Sequence, residues 1–425
     1  MPPPAAADLL RLCRSDLTSA PPRTASLAAA PTAAAPGSVH PTSATALRAG
    51  VLGAGPTGAL SALALADAGW TVTLHDPLSA AQLSQRSRAY AFNHSSRRLL
   101  ERLGLWSELA GVMVPFRRLE LCDLGVGTTV PFGIADLPGR CRRTPDAAVG
   151  WIALHAPLMA VLLRHLQEHP AIQLRLGATQ PADGAGEPDL VVAADGPHSS
   201  CREALGIGLW QLAYRQSCLT AQVELRGSDD DQAWELFRPE GPFAVLPLGQ
   251  GRFQLVWSAP SSRCRQLESL PAGAFLDGLA GALPDRFQPD ALLDEPRAFP
   301  LALQLARRLA RGRTLLVGES AHRCHPVGGQ GLNLCWRDVA ELHRQARRVA
   351  AGRLPAERLP AAYAWRRWPD LLLTLLATDL LMRLFSNRAP LLLPLRRLAL
   401  ALLVALAPLR RLSLGAMTQG PCRPL

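Results

Sequence analysis

A glycine-rich turn between two apolar segments constrains this chain more than any other feature. The stretch "RAGVLGAGPTGALSALALADAGWTVTLHDP" (48–77) predicts a strand, the glycines Gly53, Gly55 and Gly58, a helix and a second strand over 71–74. The first glycine permits a tight turn, the second lets a pyrophosphate approach the backbone, and the third lets the helix pack closely on the strand. Asp76 follows the second strand, where an acid binds ribose hydroxyls. The pattern predicts a βαβ unit for an adenosine dinucleotide, either NAD or FAD.

The composition indicates a globular protein rather than a nucleic-acid-binding one. The chain has 425 residues, which allows two domains or one large domain with an insertion, and 48% of them are hydrophobic. It contains no lysine, so all 45 basic residues are arginine, as in proteins from GC-rich genomes. The net charge of +11 is spread along the chain and is not clustered with aromatic residues. We therefore expect no nucleic-acid partner.

The nine cysteines are dispersed and form no C-x-x-C pair. This pattern predicts reduced thiols in a cytoplasmic setting, without a disulfide framework or a zinc site. His322, Cys324 and His325 are close in sequence, but no second cluster would complete four-coordination. We therefore expect no bound metal.

Residues 1–48 differ in kind from the rest. They are rich in Ala, Pro, Ser and Thr, and only Asp8 and Asp16 are acidic. Such a segment buries too little apolar surface to offset its ordering entropy, so a disordered extension is predicted. The segment lacks a secretory signal pattern but shares the acid-poor bias of organelle transit peptides, and a start codon assigned too far upstream is a further explanation.

The most apolar segment, "LALALLVALA" (398–407), is too short to cross a bilayer, and we expect no spanning helix. Its flanks carry Arg396, Arg397, Arg410 and Arg411. Basic flanks are typical of a helix that lies in a membrane interface, and a core helix is the alternative. The protein is thus expected in the cytoplasm, with peripheral contact to the inner face of a membrane as a hypothesis.

A second motif lies in "LVVAADGPHSSCREALGI" (190–207). An apolar strand leads to Asp195 and Gly196, and Ser199 and Arg202 follow at D-G-x-x-S-x-x-R spacing. Gly196 permits an unusual backbone angle, and the Asp195 carboxylate can accept hydrogen bonds from backbone or ribose. Taken alone, the motif is also compatible with an Asp-Gly turn in which Ser199 caps a helix.

A third motif lies in "VGESAHRCHPVGGQGLNLCWRDV" (317–339). A strand over 314–317 leads to Gly318 and Glu319, and a glycine-rich turn opens a helix predicted to run from about Gly331 to Val349. Glu319 is placed to bind a polyol chain. The helix N-terminus can stabilise negative charge on a reduced flavin ring, and Asn333 can add a side-chain hydrogen bond.

The three motifs together resemble the class A flavoprotein aromatic monooxygenases, which carry them in this order. Within that class the chain is most similar to the ubiquinone-biosynthesis hydroxylases, which act on polyprenylated phenols. The segments that carry this closer resemblance are "RAYAFNHSSRRLLERLGLW" (88–106), "WELFRPEGPFAVLPL" (234–248), "GQGLNLCWRDV" (329–339) and "TDLLMRLFSNRAP" (378–390).

The resemblance implies a set of FAD-binding residues. The three glycines of the first motif would hold the pyrophosphate, and Asp76 would bind the ribose. Pro326 and Gly329 would lie in the loop that faces the flavin, where catalysis occurs, although no acid or base is assigned. The other implied cofactor contacts are Arg88, His155, Asp195, Gly196, Glu319, Gly329, Gly331, Leu332 and Asn333.

Two departures from the pattern of the class involve three residues. Glu319 stands where relatives mostly have aspartate, so its extra methylene must be accommodated near the ribityl group. Cys335 and Trp336 stand where smaller residues are usual. Both departures leave the groups required for the chemistry in place.

The resemblance also implies an α/β fold in which a Rossmann-like FAD-binding domain is interleaved with a mixed β-sheet substrate domain and followed by C-terminal helices. The predicted boundaries are 49–114, 151–207 and 301–352 for the FAD-binding domain, 115–150 and 208–300 for the substrate domain, and 353–425 for the helical region.

The implied activity is hydroxylation of a lipophilic phenol or quinone precursor through a flavin C4a-hydroperoxide. NAD(P)H would be the transient reductant and O2 the oxidant, and membership of a quinone-biosynthesis complex is a further expectation. One alternative is a flavin-dependent isoprenoid reductase or epoxidase, and another is a non-catalytic flavin-binding subunit.

Overall fold

The structure is a computed structural model that describes residues 47–177, 187–387 and 389–422. The extension predicted to be disordered, 1–48, lies outside these residues except for its last two. Arg48 already belongs to the first strand.

Eighteen strands lie in the described residues. They are β1 (Arg48–Leu52), β2 (Thr71–Asp76), β3 (Ala89–Phe92), β4 (Met113–Phe116), β5 (Arg118–Asp123), β6 (Thr128–Gly133), β7 (Gly150–Leu154), β8 (Ile172–Leu176), β9 (Leu190–Ala193), β10 (Leu209–Arg226), β11 (Gln232–Arg238), β12 (Gly241–Gly249), β13 (Arg252–Pro260), β14 (Gln288–Leu292), β15 (Arg297–Ala306), β16 (Ala310–Arg311), β17 (Thr314–Leu316) and β18 (His322–Arg323).

The α-helices of the described residues are α1 (Pro56–Asp67), α2 (Ala80–Ser84), α3 (His94–Arg102), α4 (Trp106–Ala110), α5 (Gly139–Arg142), α6 (His155–Glu168), α7 (Ser200–Ala204), α8 (Ser261–Glu268), α9 (Ala272–Ala280), α10 (Gln330–Ala350), α11 (Leu359–Phe385), α12 (Leu392–Ala405) and α13 (Ala407–Gln419). Short 3-10 helices span Ile134–Asp136, Gly318–Ser320, Val327–Gly329 and Ala356–Arg358.

The first sheet is the dinucleotide-binding sheet, with strand order β16-β17-β9-β1-β2-β8. All of its pairs are parallel except β16 with β17. Its inner strands are almost wholly apolar because helices cover a parallel sheet on both faces. Helix α1 packs against α10 and α6, and Trp70 fills the core beside it. This arrangement places the carboxyl ends of β17, β9, β1 and β2 side by side at one edge.

The second sheet has nine strands, in the order β18-β15-β10-β13-β12-β11-β5-β6, with β14 paired to β10. Its pairs are antiparallel except β11 with β5. One face packs on α8 and α9 around Trp257 and Phe275. The opposite face is turned toward the carboxyl edge of the first sheet, and strands β3, β7 and β4 form a small third sheet.

Buried ion pairs tie the C-terminal helices to helix α10 and to the second sheet. Arg367 of α11 donates to Asp338 of α10 at 2.7 Å and to Asp370 at 2.6 Å. Arg396 of α12 is fully buried and binds both carboxylate oxygens of Asp123, at the end of β5. The helical region therefore forms part of the same packed body as the sheets.

The predicted α/β fold with two interleaved sheets and C-terminal helices is confirmed. The helix predicted from about Gly331 to Val349 runs from Gln330 to Ala350. Strand β15 continues the second sheet to Ala306, beyond the predicted boundary at residue 300, because Ala306 pairs with Leu209 of β10. The domain boundaries themselves stay a prediction.

The apolar segment 398–407 spans the end of α12 and the start of α13. Among the described residues, no single helix has the length and apolarity needed to cross a membrane. Helices α12 and α13 satisfy these criteria only as a pair, and they are bent by 100° at their junction.

Candidate active site

A cavity of about 1170 Å³ separates the carboxyl edge of the first sheet from the open face of the second. Its volume exceeds the range of about 300–1,000 Å³ that is usual for sites of drug-sized ligands. All three sequence motifs contribute to its lining, together with strands β10 to β13 and residues of α11, α12 and α13. The cavity thus has room for a dinucleotide and a second molecule.

The three glycines of the first motif have different surroundings. A Cβ at Gly53, whose φ is +96°, would lie 2.4 Å from the Ala194 carbonyl oxygen, and a Cβ at Gly58 would lie 1.8 Å from the Gly53 carbonyl oxygen. Both glycines are thus required by backbone packing. A Cβ at Gly55 would meet no atom within 4 Å, and this residue lines the cavity at the N-terminus of α1. The open space at Gly55 fits a phosphate group held by the free N–H groups of the helix.

Asp76 lies at the end of β2 and lines the cavity. Its two carboxylate oxygens accept hydrogen bonds from the N–H groups of Ala54, at 2.6 Å, and Leu78, at 2.8 Å. The carboxylate is fixed beside the glycine turn, and its remaining lone pairs can accept hydrogen bonds from ribose hydroxyls.

The D-G motif contributes a carboxylate oxygen that has no partner. Oδ2 of Asp195 accepts a hydrogen bond from the Cys201 N–H, whereas Oδ1 is buried without a hydrogen bond. Burial raises the pKa of this carboxyl group, and the residue lines the cavity. A buried polar atom of this kind usually has a partner, so Oδ1 fits a donor supplied by a cofactor. Gly196 beside it has a φ of +86° and open space at its Cβ position.

Ser199 and Arg202 of the same motif have structural roles. The Ser199 hydroxyl caps α7 by accepting from the Arg202 N–H at 3.0 Å. The buried guanidinium of Arg202 donates to the carbonyl oxygens of Ser320, at 2.9 Å, and Pro197. Arg202 therefore joins the second motif to the third.

The third motif begins with the turn at Gly318, which is hydrogen-bonded to a side chain of α10 on the side away from the cavity. Asp338 accepts a hydrogen bond from the Gly318 N–H at 2.8 Å, and its carboxylate also contacts His322 at 2.7 Å. Its neighbours His322 and Arg367 hold the pKa of Asp338 at about 2 despite its burial. The next side chain, Glu319, is exposed and lines the cavity. The turn thus presents a carboxylate to the cavity.

The glycine-rich loop before α10 forms part of the cavity wall. Gly328 and Gly329 both have φ values in the left-handed region, +67° and +62°. Pro326, Gly329, Gly331 and Leu332, which the sequence assigns to the flavin-facing loop, all line the cavity. The first turn of α10 has no side-chain cap, so its N–H groups are free to stabilise negative charge in the cavity.

Two predicted flavin contacts lie outside the cavity lining. His155 is buried, and its ring nitrogens contact the Tyr90 hydroxyl at 2.9 Å and the Leu83 carbonyl oxygen at 2.7 Å. Asn333 donates to the carbonyl oxygens of Ala91 and Gly329, each at 2.7 Å, and its Oδ1 accepts from two further groups. Both side chains are satisfied by the protein, so in this structure they support the walls and do not face the cavity.

Arg88 and Tyr90, at the start of β3, line the cavity. The Arg88 guanidinium lies over the Tyr90 ring, 5.4 Å from its centroid, and over the Phe299 ring. The sequence prediction for Arg88 fits this position. Tyr90 was not predicted, although it lies within the segment that carries the family resemblance, and its hydroxyl is fixed by His155.

Glu235 is the second residue that sequence reasoning missed. It lies on β11 within the cavity lining, and its carboxylate accepts a hydrogen bond from the Gly328 N–H at 3.2 Å. Burial raises its pKa to about 7. The signal in the sequence was a charged residue between Trp234 and Leu236, in the middle of an apolar run from Ala233 to Phe237.

The histidines and cysteine of the third motif do not converge on one point. His322 contacts Asp338, His325 accepts a hydrogen bond from the Val327 N–H, and burial raises the pKa of Cys324 to about 12. Within the described ranges, no group of three His, Cys, Asp or Glu side chains is arranged to hold a metal ion.

The two departures from the family pattern are accommodated differently. The Cys335 thiol is buried behind the turn, where a Cβ at Gly318 would lie 3.3 Å from its sulfur, and burial raises its pKa well above the usual value. Trp336 packs against Phe92 with ring centroids 4.7 Å apart. The larger side chain at Glu319 extends into open cavity space. None of the three blocks the FAD site.

Comparison with known proteins agrees with this geometry. The model of the FAD binding domain family matches residues 46–120 and 165–369. The chain is 35% identical over 389 residues to the ubiquinone hydroxylase UbiL of Rhodospirillum rubrum, covering 85% of this chain and 88% of that protein. It is 32% identical over 300 residues to the 3-demethoxyubiquinol 3-hydroxylase of Escherichia coli, covering 66% and 74%.

The fold is also found among solved structures. The p-nitrophenol 4-monooxygenase PnpA of Pseudomonas putida DLL-E4 superposes with a TM-score of 0.68 at 20% identity, covering 88% of this chain and 98% of that chain. The predicted cofactor, FAD, and the predicted enzyme class are confirmed by the family match. The chain belongs to the FAD binding domain family, and within it to the FAD-dependent monooxygenases related to the ubiquinone hydroxylases.

Proposed function

We propose that this monooxygenase hydroxylates a lipophilic, polyprenylated phenol or quinone precursor, with NAD(P)H as the reductant and O2 as the oxidant. The observation that carries the proposal is the continuity of the cavity. It extends from the glycine turn at Gly53 to Leu380 and Leu381, which line it and are also exposed on the surface of α11. A polar cofactor site and an apolar opening therefore belong to one space.

The residues that face the cavity fit FAD in a definite order. Gly55 and the N-terminus of α1 hold the pyrophosphate, Asp76 binds the ribose, and Arg88 lies near the phosphates or the ribityl chain. Asp195, Gly196 and Glu319 close around the chain between the phosphates and the flavin. Gly329, Gly331 and Leu332 face the flavin ring. His155 and Asn333 do not face the cavity. They position cavity residues instead, because His155 contacts the Tyr90 hydroxyl and Asn333 donates to the Gly329 carbonyl oxygen.

Bound FAD supplies the oxygen-activating chemistry, and the protein positions the reactants and excludes water. Apart from Glu235, the floor that the second sheet presents to the cavity is largely apolar, with Leu121, Ala244 and Val256 in one row. Pro326 and the two left-handed glycines after it fix the loop above this floor. Exclusion of water is needed because an oxygenating intermediate otherwise decays without forming product.

The C-terminal helices fit a membrane surface. Leu376 and Leu380 of α11 are 63% and 64% exposed, and α12 and α13 expose a further set of leucines beside Arg397 and Arg411. An apolar face flanked by arginine binds the interface of an anionic bilayer. The opening at Leu380 and Leu381 would then face the layer in which prenylated substrates reside.

The test combines a product assay with a binding assay. Purified FAD-containing protein is incubated with NAD(P)H, oxygen and prenylated phenols, and we expect substrate-stimulated NAD(P)H oxidation and a product that has gained one oxygen atom. Loss of a double bond without gain of oxygen would instead show an isoprenoid reductase. NAD(P)H oxidation that no substrate stimulates, with no product, would favour the non-catalytic subunit.

The membrane contact is tested with vesicles that contain anionic phosphatidylglycerol. The double variant Leu376→Glu/Leu398→Glu should lose vesicle binding. Leu293→Glu, at an exposed leucine beyond β14, is the matched control and should bind like the wild type. Equal binding by all three proteins would show that the C-terminal helices do not form the contact.

A further inference from the structure

Glu235 is the only carboxyl group that the second sheet contributes to the cavity lining within the described residues. In the strand register it stands between Leu121 of β5 and Ala244 of β12, and Val256 of β13 continues the same row. The residue is 9% exposed. The neighbours of Glu235 in this row, Leu121 and Ala244, are apolar, and burial of a carboxylate beside them opposes folding.

The contacts of the Glu235 carboxylate leave one oxygen available. Oε2 accepts the hydrogen bond from Gly328, in the short helix Val327–Gly329. The described residues form no second hydrogen bond to Glu235. Its Oε1 has no partner among them, and it is not fully buried. Oε1 therefore reaches the cavity from a carboxylate that the flavin-facing loop holds in place.

Burial, and not a charged neighbour, sets the pKa of the Glu235 carboxyl group. The strands on either side present Leu121 and Ala244. On β10, burial raises the pKa of the Cys218 thiol to about 12, so that thiol is neutral. In the facing loop, burial lowers the pKa of His325 to about 4, so the imidazole is neutral as well. Glu235 exchanges its proton in the neutral range, where a general base is most effective.

We propose that Glu235 accepts the hydrogen bond and then the proton of the phenolic hydroxyl of the substrate. This proposal rests on the proposed function and assigns to that reaction the base that the sequence motifs did not supply. A phenol is activated toward an electrophilic oxygen when its hydroxyl ionises. The placement of Oε1 between the apolar floor and the flavin-facing loop is suited to that transfer.

The O–H bond of the phenol breaks, its proton moves to Oε1 of Glu235, and the electron pair enters the ring. NAD(P)H supplies the two electrons that reduce O2, and the O–O bond breaks as a ring carbon takes one of its oxygen atoms as a hydroxyl group. The other oxygen atom takes up protons from solvent and leaves as water. The ring carbon then loses its hydrogen as a proton, and Glu235 returns its own proton to the phenolic oxygen.

The decisive variant is Glu235→Gln in the FAD-containing full chain. The amide oxygen of glutamine can still accept the hydrogen bond from Gly328, so the loop keeps its support, but the side chain cannot take a proton. Glu120→Gln is the matched control, because Glu120 lies on the neighbouring strand, pairs with Trp234 and is absent from the cavity lining.

The assay compares a prenylated phenol with a ring-fluorinated analogue whose hydroxyl is more acidic. With the ordinary phenol, Glu235→Gln should retain FAD and substrate-stimulated NAD(P)H oxidation but form hydroxylated product about 100-fold more slowly. With the fluorinated analogue the deficit should shrink about tenfold or more, since that hydroxyl ionises without a base. The wild-type rate should rise with pH through the neutral range, and the variant should follow the ionisation of the substrate instead.

These outcomes distinguish a failure of the role proposed for Glu235 from a failure of the proposed hydroxylase function. Equal losses with both phenols, or no loss, would overturn the role of Glu235 while leaving the hydroxylase activity of the wild type intact. A wild-type protein that forms no hydroxylated product from any phenol would overturn the proposed function and the role of Glu235 together.

Discussion

The Asp338 carboxylate of α10 accepts a hydrogen bond from the backbone N–H of Gly318 at 2.8 Å, so helix α10 fixes the turn that presents Glu319 to the cavity. The same carboxylate is fully buried and is paired with Arg367 at 2.7 Å. The turn of the third motif therefore depends on an ion pair that lies behind it and outside the cavity.

Replacing Asp338 by alanine should destabilise the fold and weaken FAD binding together. The change leaves the buried Arg367 with one carboxylate fewer, and removing one partner of a buried ion pair costs about 3–5 kcal/mol. Urea unfolding and the FAD content of the purified protein measure the two effects. Asp290→Ala, which breaks the exposed pair with Arg226, is the control and should leave both values nearly unchanged. Normal FAD content in Asp338→Ala would show that Gly318 needs no anchor.

Substitutions in the first glycine motif should separate folding from cofactor binding. Gly55→Val should give a folded protein that purifies without the yellow colour of FAD, because its side chain occupies only the open space of the cavity. Gly58→Ala should fail to fold, since its Cβ would lie 1.8 Å from the Gly53 carbonyl oxygen. Circular dichroism and flavin absorbance report both results, and a yellow Gly55→Val protein would contradict the assigned phosphate position.

The stability of the FAD-free protein should depend on the ionisation of Glu235. Burial raises the pKa of this group from its ordinary 4.5 to about 7, so the folded state holds its proton more tightly than the unfolded state. Its contribution to stability is complete below about pH 4.5 and is lost as pH rises through about 7. Relative to Glu235→Gln, the wild type should lose about 2 kcal/mol of unfolding free energy between about pH 5.5 and about pH 8.5. Parallel pH profiles of the two proteins would show that the carboxyl group titrates normally.

The buried pair between Arg396 and Asp123 should attach the C-terminal helices to the second sheet. Arg396→Ala leaves an uncompensated buried carboxylate, at a cost of about 3–5 kcal/mol. The double variant Arg396→Met/Asp123→Leu removes both charges and should recover most of that loss. Thermal unfolding measures both, and a double variant as unstable as the single one would show that packing of the arginine stem, and not its charge, is what matters.

The sequence was sufficient for the fold and for the cofactor, because its glycines are constrained by backbone geometry. Gly53 and Gly58 admit no side chain. Such constraints fix the spacing of the glycines along the chain, and this spacing can be recognised in the amino-acid sequence. The end of β2 at Asp76 follows from the same unit. These residues act locally, within one turn and its flanking elements.

Side chains whose roles depend on distant partners could not be assigned from the sequence. His155 was expected at the flavin, but Tyr90 and Leu83, far along the chain, occupy both of its ring nitrogens. Glu235 becomes notable only when the pairing of β11 with β5 and β12 places it in the floor of the cavity. No local pattern encodes such strand neighbours.

Two buried or half-buried ion pairs, Arg396 with Asp123 and Arg410 with Asp136, both end on the hairpin of β5 and β6 or directly after it. Helices α12 and α13 consequently cannot leave the cavity wall one at a time without exposing an unpaired acid. Their amide hydrogens and those of the hairpin should exchange with solvent in a single opening event. A substrate too wide for the resting opening would then enter at a rate set by this cooperative opening and not by diffusion.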